Sequence, residues 1–320
     1  MNTFFKRTLL RITFPVALAA LFAAADSSFL LIGNLYALLQ SFALLGLVTL
    51  AISVTMIAGE FDLSVGSAAA VAGLVFVKTG VSYPVLGIAA ALGTGVAVGV
   101  FNAALTVSLR VSSLVTTLGS MILLNGLAIW IEGGEVASYA NFDAADFLDQ
   151  HIAGVLSLHS LVTIAFFFLT AFLLYYTRIG RDIFAAGSNR KAAEMAGAAV
   201  SIALFTAFIA SAVMAAVGGV LTAISLSTAS SRFGADLVLQ AATAAIVGGV
   251  TLSGGVGSPI GIACGAIVLT ILNNGLSLLG VGSATVQLLN GALLFTILMF
   301  NGRSSGTNWA QLLQRKRIAQ

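Results

Sequence analysis

Long apolar runs that follow one another at short intervals constrain this chain more than any other feature. Crossing roughly 30 Å of hydrocarbon takes about 20 mostly apolar residues, and such stretches succeed each other from residue 12 to residue 300. With 59% of residues hydrophobic and 8% charged, against about a quarter charged in soluble domains, a water-soluble fold could not cover its own surface. In lipid the backbone must bond internally, which leaves helices or a closed barrel. The runs lack the roughly ten-residue alternating segments of a barrel. The sequence therefore predicts an all-α polytopic membrane protein.

About ten transmembrane helices are expected, over 12–32, 42–58, 65–81, 85–109, 114–131, 161–177, 202–226, 237–250, 259–279 and 286–300. The possible cleavage site Ala23-Ala24-Ala25 invites a signal-peptide reading, but the apolar stretch continues to Ile32, which favours an uncleaved first span. Lys6, Arg7 and Arg11 precede that span, Arg178, Arg181, Arg190 and Lys191 share the segment 178–200, and Arg303, Arg315, Lys316 and Arg317 follow the last span. Basic residues mark the cytoplasmic side. An even number of spans puts both termini, Arg110 and 178–200 there. The acidic segment 132–159, with Glu132, Glu135, Asp143, Asp146 and Asp149, is then outside. The net charge of +3 thus reads as topology rather than nucleic-acid affinity. Residues 1–320 form one membrane domain, since no polar interruption is long enough to be a soluble one.

The inventory for catalysis is short. A P-loop needs Gly-Lys-Ser/Thr, and Lys6, Lys78, Lys191 and Lys316 all lack the preceding Gly. His151 and His159 are read as solvated loop histidines without zinc-site spacing. Cys264 stands alone in an apolar run, and no Gly-x-Ser-x-Gly elbow occurs. No catalytic residue, metal or bound cofactor is expected.

Polar residues inside the spans carry more information, because each charge costs about 2.5–3.5 kcal/mol at a helix centre. Glu60, Asp62 and Ser64 interrupt two apolar runs, where Asp62 or Ser64 either caps the next helix or contributes to a transport path. Asn102, Asn125, Gln240, Asn273, Asn274, Gln287 and Asn290 are candidates for the same path or for hydrogen bonds between helices. Gly95 and Gly99, and Gly257, Gly261 and Gly265, form stripes for close helix packing. Within 178–200, Asn189 reads as an N-cap and Gly197 as a helix stop. Ala192, Met195 and Ala196 then share an apolar face, beside Arg190, Lys191 and Glu194, for docking on a cytoplasmic protein.

Five ordered motifs carry a resemblance. Gly59-Glu60-Phe61-Asp62-Leu63-Ser64-Val65-Gly66-Ser67 resembles Gly-Gly-Ile-Asp-Leu-Ser-Val-Gly-Ser of the permease subunits of ribose-type bacterial ABC importers, a group that includes xylose, galactose, arabinose and autoinducer-2 permeases. Val115-Thr116-Thr117-Leu118-Gly119, the segment Gly180 to Asn189 with Ala192, Ala193 and Gly197, the segment Gly248 to Gly257, and the segment Leu272 to Val281 are similar to further signatures of that group.

The resemblance implies a non-catalytic permease in the bacterial inner membrane that forms the path for a sugar or sugar-like solute. It implies a second permease subunit, two cytoplasmic ATPase subunits that hold ATP and Mg, and a periplasmic solute-binding protein. The implied coupling residues are Gly187, Asn189, Arg190, Ala192, Glu194, Met195 and Gly197. The implied path or gating residues are Glu60, Asp62, Ser64, Asn102, Thr116, Thr117, Asn125, Gln240, Asn273 and Asn274. A nucleoside or branched-chain amino acid permease of the same fold, and an ion-coupled secondary transporter, are the alternatives. The group commonly carries Glu-Leu-Asp before Ala-Ile-Val-Gly-Gly, where this chain has Val238-Leu239-Gln240 with Asp236 two residues earlier. That departure sets aside the common substrate contacts as a guide and leaves the second permease subunit open, either another copy of this chain or a different permease.

Overall fold

The computed structural model describes residues 3–234 and 237–304, so Asp236 and the basic C-terminal residues beyond Arg303 lie outside the described residues. Helix α1 spans Thr3–Ala25 and leads through a 3-10 turn, Ser27–Leu30, to α2 at Ile32–Ile57. Next come α3 (Val65–Gly80), α4 (Pro84–Ala103, continued by a π-helical turn at Ala104–Ser108) and α5 (Ser113–Glu132). Strand β1 (Ala137–Ser138) and α6 (Phe142–Leu148) precede α7 (Leu158–Tyr176), α8 (Arg178–Ser188), α9 (Arg190–Met195) and α10 (Val200–Ser225). Strand β2 (Thr228–Ala229), α11 (Leu237–Val247), α12 (Pro259–Leu278) and α13 (Ser283–Ser304) complete the chain.

Nine of the predicted spans fall on one helix each, while 12–32 runs from α1 over the 3-10 turn into α2, and the helices differ in length. α2, α4 with its π turn, α5, α7, α10 and α12 are long and apolar enough to cross a membrane, whereas Ile12–Ala25, Val65–Gly80, Leu237–Val247 and Ser283–Ile297 are shorter. The 11 residues of α11 reach about 16 Å at 1.5 Å per residue, half the hydrocarbon thickness. The N-termini of α3 and α11 meet inside the protein. A Cβ on Gly66 would collide with the Gly234 carbonyl and lie 2.9 Å from Val238 Cγ2. Irregular backbone at such depth is tolerated where protein buries it.

The centre is the second half of α2, buried from Phe42 to Ala58 but for the half-buried Leu44, and packed against α7, α10, α11 and α12. Small residues set the other distances, as expected where lipid supplies no hydrophobic drive between helices. A Cβ on Gly95 would lie 2.8 Å from Ala212 O, and one on Gly99 2.6 Å from Ile209 Cα, both on α10. Gly261 and Gly265 pack in the same way on Gly248 and Ala244.

The segment 132–159, expected as a loop, is partly ordered. β1 pairs antiparallel with β2, with Ala137 opposite Ala229, and the fully buried Tyr139 ring lies 4.9 Å from Phe76. Burial raises its phenol above the ordinary value. His159 corrects the solvated-loop reading. A capping box of Ser157 and Ser160 starts α7 at Leu158, so His159 is buried in the helix. Its Nε2 lies 2.9 Å from Leu221 O and its Nδ1 3.3 Å from Asp149 Oδ1. His151 is exposed, with its ring 4.0 Å from Tyr36.

Candidate functional site

Two assemblies contain most of the residues singled out from the sequence. The first is the link between α2 and α3. Helix α2 ends at Ile57, Gly59 adopts φ +82, and the chain turns back into the protein instead of leaving it. α5 holds the returning backbone: Ser113 Oγ accepts from Phe61 N at 3.3 Å and Thr117 Oγ1 from Leu63 N at 3.1 Å. Thr117 Oγ1 also lies within donating distance of Phe61 O, 3.1 Å, and Ser113 O, 2.8 Å.

Asp62 is the focus of this link and is fully buried. Its Oδ1 accepts from Ser64 N at 3.0 Å and from Ser64 Oγ at 2.6 Å, and its Oδ2 accepts from Ser211 Oγ at 3.0 Å. Ser64 Oγ in turn accepts from Asn102 Nδ2 at 2.8 Å, and Asn102 Oδ1 accepts from Ser120 Oγ. Every hydroxyl and amide in the relay donates toward the carboxylate. No cation pairs with Asp62 among the described residues, so the Ser64 N–H and the two hydroxyls offset its burial, the condition under which a buried polar group is tolerated. Ser211 is close to the middle of α10, which places the carboxylate deep in the bundle. Asp62, Ser64, Asn102 and Thr117 are thus brought together. Thr116 is buried beside them, with Oγ1 lacking a partner.

The second assembly is the elbow of α8 and α9. Asn189 caps α9 as expected, its Oδ1 accepting from Ala192 N at 3.1 Å, and Gly197 takes φ +79 after the helix. The segment holds two helices rather than one, because α8 is capped separately by Thr177 Oγ1 on Gly180 N. Ala193 faces inward, while Ala192, Ala196 and Met195, the last 90% exposed, face out. The elbow meets the link backbone to backbone. A Cβ on Gly187 would collide with Ile57 O and lie 2.5 Å from Gly255 N, and one on Gly59 would lie 3.2 Å from Gly187 Cα. Arg190 Nη2 also pairs with Glu60 Oε1 at 3.0 Å. Beside this pair lies a cavity of about 440 Å³ whose lining includes Thr106, Arg110, Ser112 and Glu194.

Other sequence candidates are elsewhere. Asn274 and Asn34 exchange amide hydrogen bonds at 2.9 and 3.1 Å, and Asn290 Nδ2 donates to Asn273 Oδ1 at 2.9 Å. These pairs fasten α12 to α2 and α13. Gln240 is half-buried on α11, and Asn125 is exposed on the open side of α5. Ser113, Ser120 and Ser211 were absent from the sequence-derived set. A signal existed for the α5 pair, since Ser113, Thr116, Thr117 and Ser120 recur at i, i+3, i+4 and i+7; Ser211 stands alone in an apolar run and carried none.

Residues 34–298 match the family described as branched-chain amino acid transport system / permease component. The ribose import permease protein of Escherichia coli (strain K12) is 31% identical over 273 residues, covering 84% of this chain and 85% of that protein. The autoinducer 2 import system permease protein of Salmonella paratyphi A is 30% identical over 322 residues, 95% of each chain. The corresponding protein of Klebsiella pneumoniae is 30% identical over 312 residues, 94% of this chain and 93% of its own length. No solved structure matches. The chain therefore belongs to the branched-chain amino acid transport system / permease component family, whose members are non-catalytic membrane permeases.

Proposed function

We propose that this chain is the permease subunit of an ATP-driven importer and forms part of the path of a sugar or sugar-like solute. The observation that carries the reading is the elbow: a capped, outward-facing α9 whose apolar residues Ala192, Met195 and Ala196 are exposed while its base is packed on the broken α2–α3 crossing. An exposed helix tied to the deepest polar cluster is what a mechanically driven path needs. The names of the relatives, ribose and autoinducer 2 import, support the solute class. ATP and Mg belong to separate cytoplasmic subunits docked on α9, and a periplasmic binding protein delivers the solute.

In this reading the ten apolar helices lie in the bacterial inner membrane, with both termini cytoplasmic. Its support is the charge distribution. Arg110, Arg178, Arg181, Arg190 and Lys191 lie toward the elbow, while Lys78 and Arg232 are the described basic residues toward the β-ladder. Basic residues favour the cytoplasmic side. A second permease subunit covers the open side of α5. There Asn125 is exposed between Gly119 and Gly126, around whose positions a Cβ would meet nothing within 4 Å. An amide left facing lipid is costly, and small residues allow a second helix to approach.

Reconstituting the chain with ATPase and binding-protein partners and measuring ATP hydrolysis against ribose, other sugars, nucleosides and leucine tests the proposal. Stimulation by a sugar is the expected result. Stimulation by leucine or a nucleoside alone replaces the solute class. Ion-gradient-driven uptake by this chain in liposomes without any ATPase overturns the reading.

A further inference from the structure

Four charged side chains, two of each sign, line a cavity at the elbow, and among the described residues one pairing between them is made. Glu60, Arg110, Arg190 and Glu194 all border the space of about 440 Å³, and Arg190 Nη2 pairs with Glu60 Oε1 at 3.0 Å. The Glu60 side chain is 11% exposed and that of Arg190 46% exposed, so the pair joins an exposed side chain to one largely buried in the protein. Arg190 and Glu194 are four residues apart on α9, the spacing at which helical side chains meet. Arg110, in the left-handed region at φ 58, borders the same cavity and offers Glu60 a second cation.

We propose that these four residues form a two-state ion-pair exchange that couples the elbow to the path. This rests on the importer reading above. In the state seen here Glu60 holds Arg190. When the ATPase subunits displace α9, Arg190 passes to Glu194 on its own helix and Glu60 passes to Arg110. The number of ion pairs does not fall, so the exchange adds no unpaired charge, and two discrete arrangements are what a coupling element requires. Glu60 is the lever. It is two residues from Asp62, and the intervening backbone is bonded to Ser113 and Thr117 of α5. Freeing Glu60 therefore shifts a segment whose side chains reach α4, α5 and α10. The four side chains are positioning residues, and none of them touches solute in this account.

The test uses the full complex of permease, ATPase and binding protein in liposomes, with and without solute. Glu60→Gln and Arg190→Gln raise solute-independent ATP hydrolysis and lower the ratio of stimulated to basal rate about five-fold, the lower end of ordinary site-to-site coupling. Arg110→Gln lowers the stimulated rate. The double reversal Glu60→Arg/Arg190→Glu separates exchange from a simple tie. It rebuilds the pair seen here but sets position 60 against Arg110 and position 190 against Glu194, so the basal rate returns to wild type while stimulation stays low. The fourfold reversal, adding Arg110→Glu and Glu194→Arg, restores both.

If the double reversal restores stimulation as well, the pair is only a tie and the exchange is wrong. Unchanged ratios in the single variants also refute it. Should a neutral variant fail to assemble, Glu60→Asp and Arg190→Lys keep the charge but lose reach, and the same fall in ratio is expected. A wild-type complex without any solute stimulation would instead bring down the importer reading.

Discussion

Gly187→Ala is the sharpest perturbation of the joint between elbow and bundle. Its methyl would collide with Ile57 O and lie 2.5 Å from Gly255 N. Those two atoms are themselves joined, Gly255 N donating to Ile57 O at 2.8 Å, so the methyl is driven between the partners of a hydrogen bond. Both of its neighbours are backbone, and neither can rotate aside. Overpacking of this kind costs about 1–3 kcal/mol, and the weakened bond adds about 0.5–1.5 kcal/mol. The sum, about 2–4 kcal/mol, is a large part of a total stability of about 5–15 kcal/mol. It corresponds to a fall in melting temperature of about 5–15 °C. Heating the detergent-solubilised protein and measuring the surviving monodisperse fraction by fluorescence-detected size exclusion reads this directly. Gly119→Ala is the matched control, because a Cβ there meets nothing within 4 Å; it should melt at or above the parent temperature, since Ala is favoured over Gly in a helix by about 1 kcal/mol. A Gly187→Ala protein that melts within about 2 °C of the parent refutes the reasoning that glycine is required at this crossing.

Asp62→Ala leaves the Ser64 N–H and the Ser64 and Ser211 hydroxyls without their acceptor, at about 1–3 kcal/mol each, and should yield no monodisperse protein on size exclusion. Asp62→Asn, which keeps one acceptor oxygen, should fold with a loss of about 1–2 kcal/mol by the same assay. Asn274→Ala removes the exchanged amides with Asn34 and should lower the melting temperature by about 2–10 °C, given about 0.6–1.7 kcal/mol per such bond in a bilayer. It should leave solute-stimulated ATP hydrolysis intact, and a selective loss of stimulation would return Asn274 to the path. Met195→Asp changes an exposed residue and should alter stability by less than about 0.5 kcal/mol. Co-purification of the ATPase subunits should nevertheless fall, and undiminished co-purification would remove α9 as the docking helix.

Much of this architecture is legible in the sequence, because length and apolarity alone locate a helix in lipid. Nine of the predicted spans fall on one helix each, and the Asn189 cap and the Gly197 stop are where local turn chemistry places them. What is not legible depends on tertiary contact. That Gly66 receives Gly234 and Val238 at the start of α11 is such a contact, and no feature within 237–250 announces that neighbour. His159 reads as a loop residue until Ser157 and Ser160 are seen to cap α7 one residue before it. Asn273 and Asn274 look the same as path residues or as clamps, because an amide in an apolar run reveals its role only through Asn34 and Asn290.

The link and the hydroxyl stripe of α5 are better understood as one device than as two motifs. A chain that re-enters the bundle between two helices brings backbone N–H groups that neither helix can satisfy, and each must find a partner away from water. At Phe61 and Leu63 those partners are Ser113 and Thr117, and at Ser64 the partner is Asp62 itself. Asp62 then requires donors of its own, which Ser64 and Ser211 supply, and Ser64 passes the requirement through Asn102 to Ser120. The break between α2 and α3, the buried carboxylate and the serines of the link, α5 and α10 therefore imply one another: the break creates the polar demand, and only helices placed around it can meet that demand. A displacement of the link cannot stay local, because its hydrogen bonds end on α4, α5 and α10.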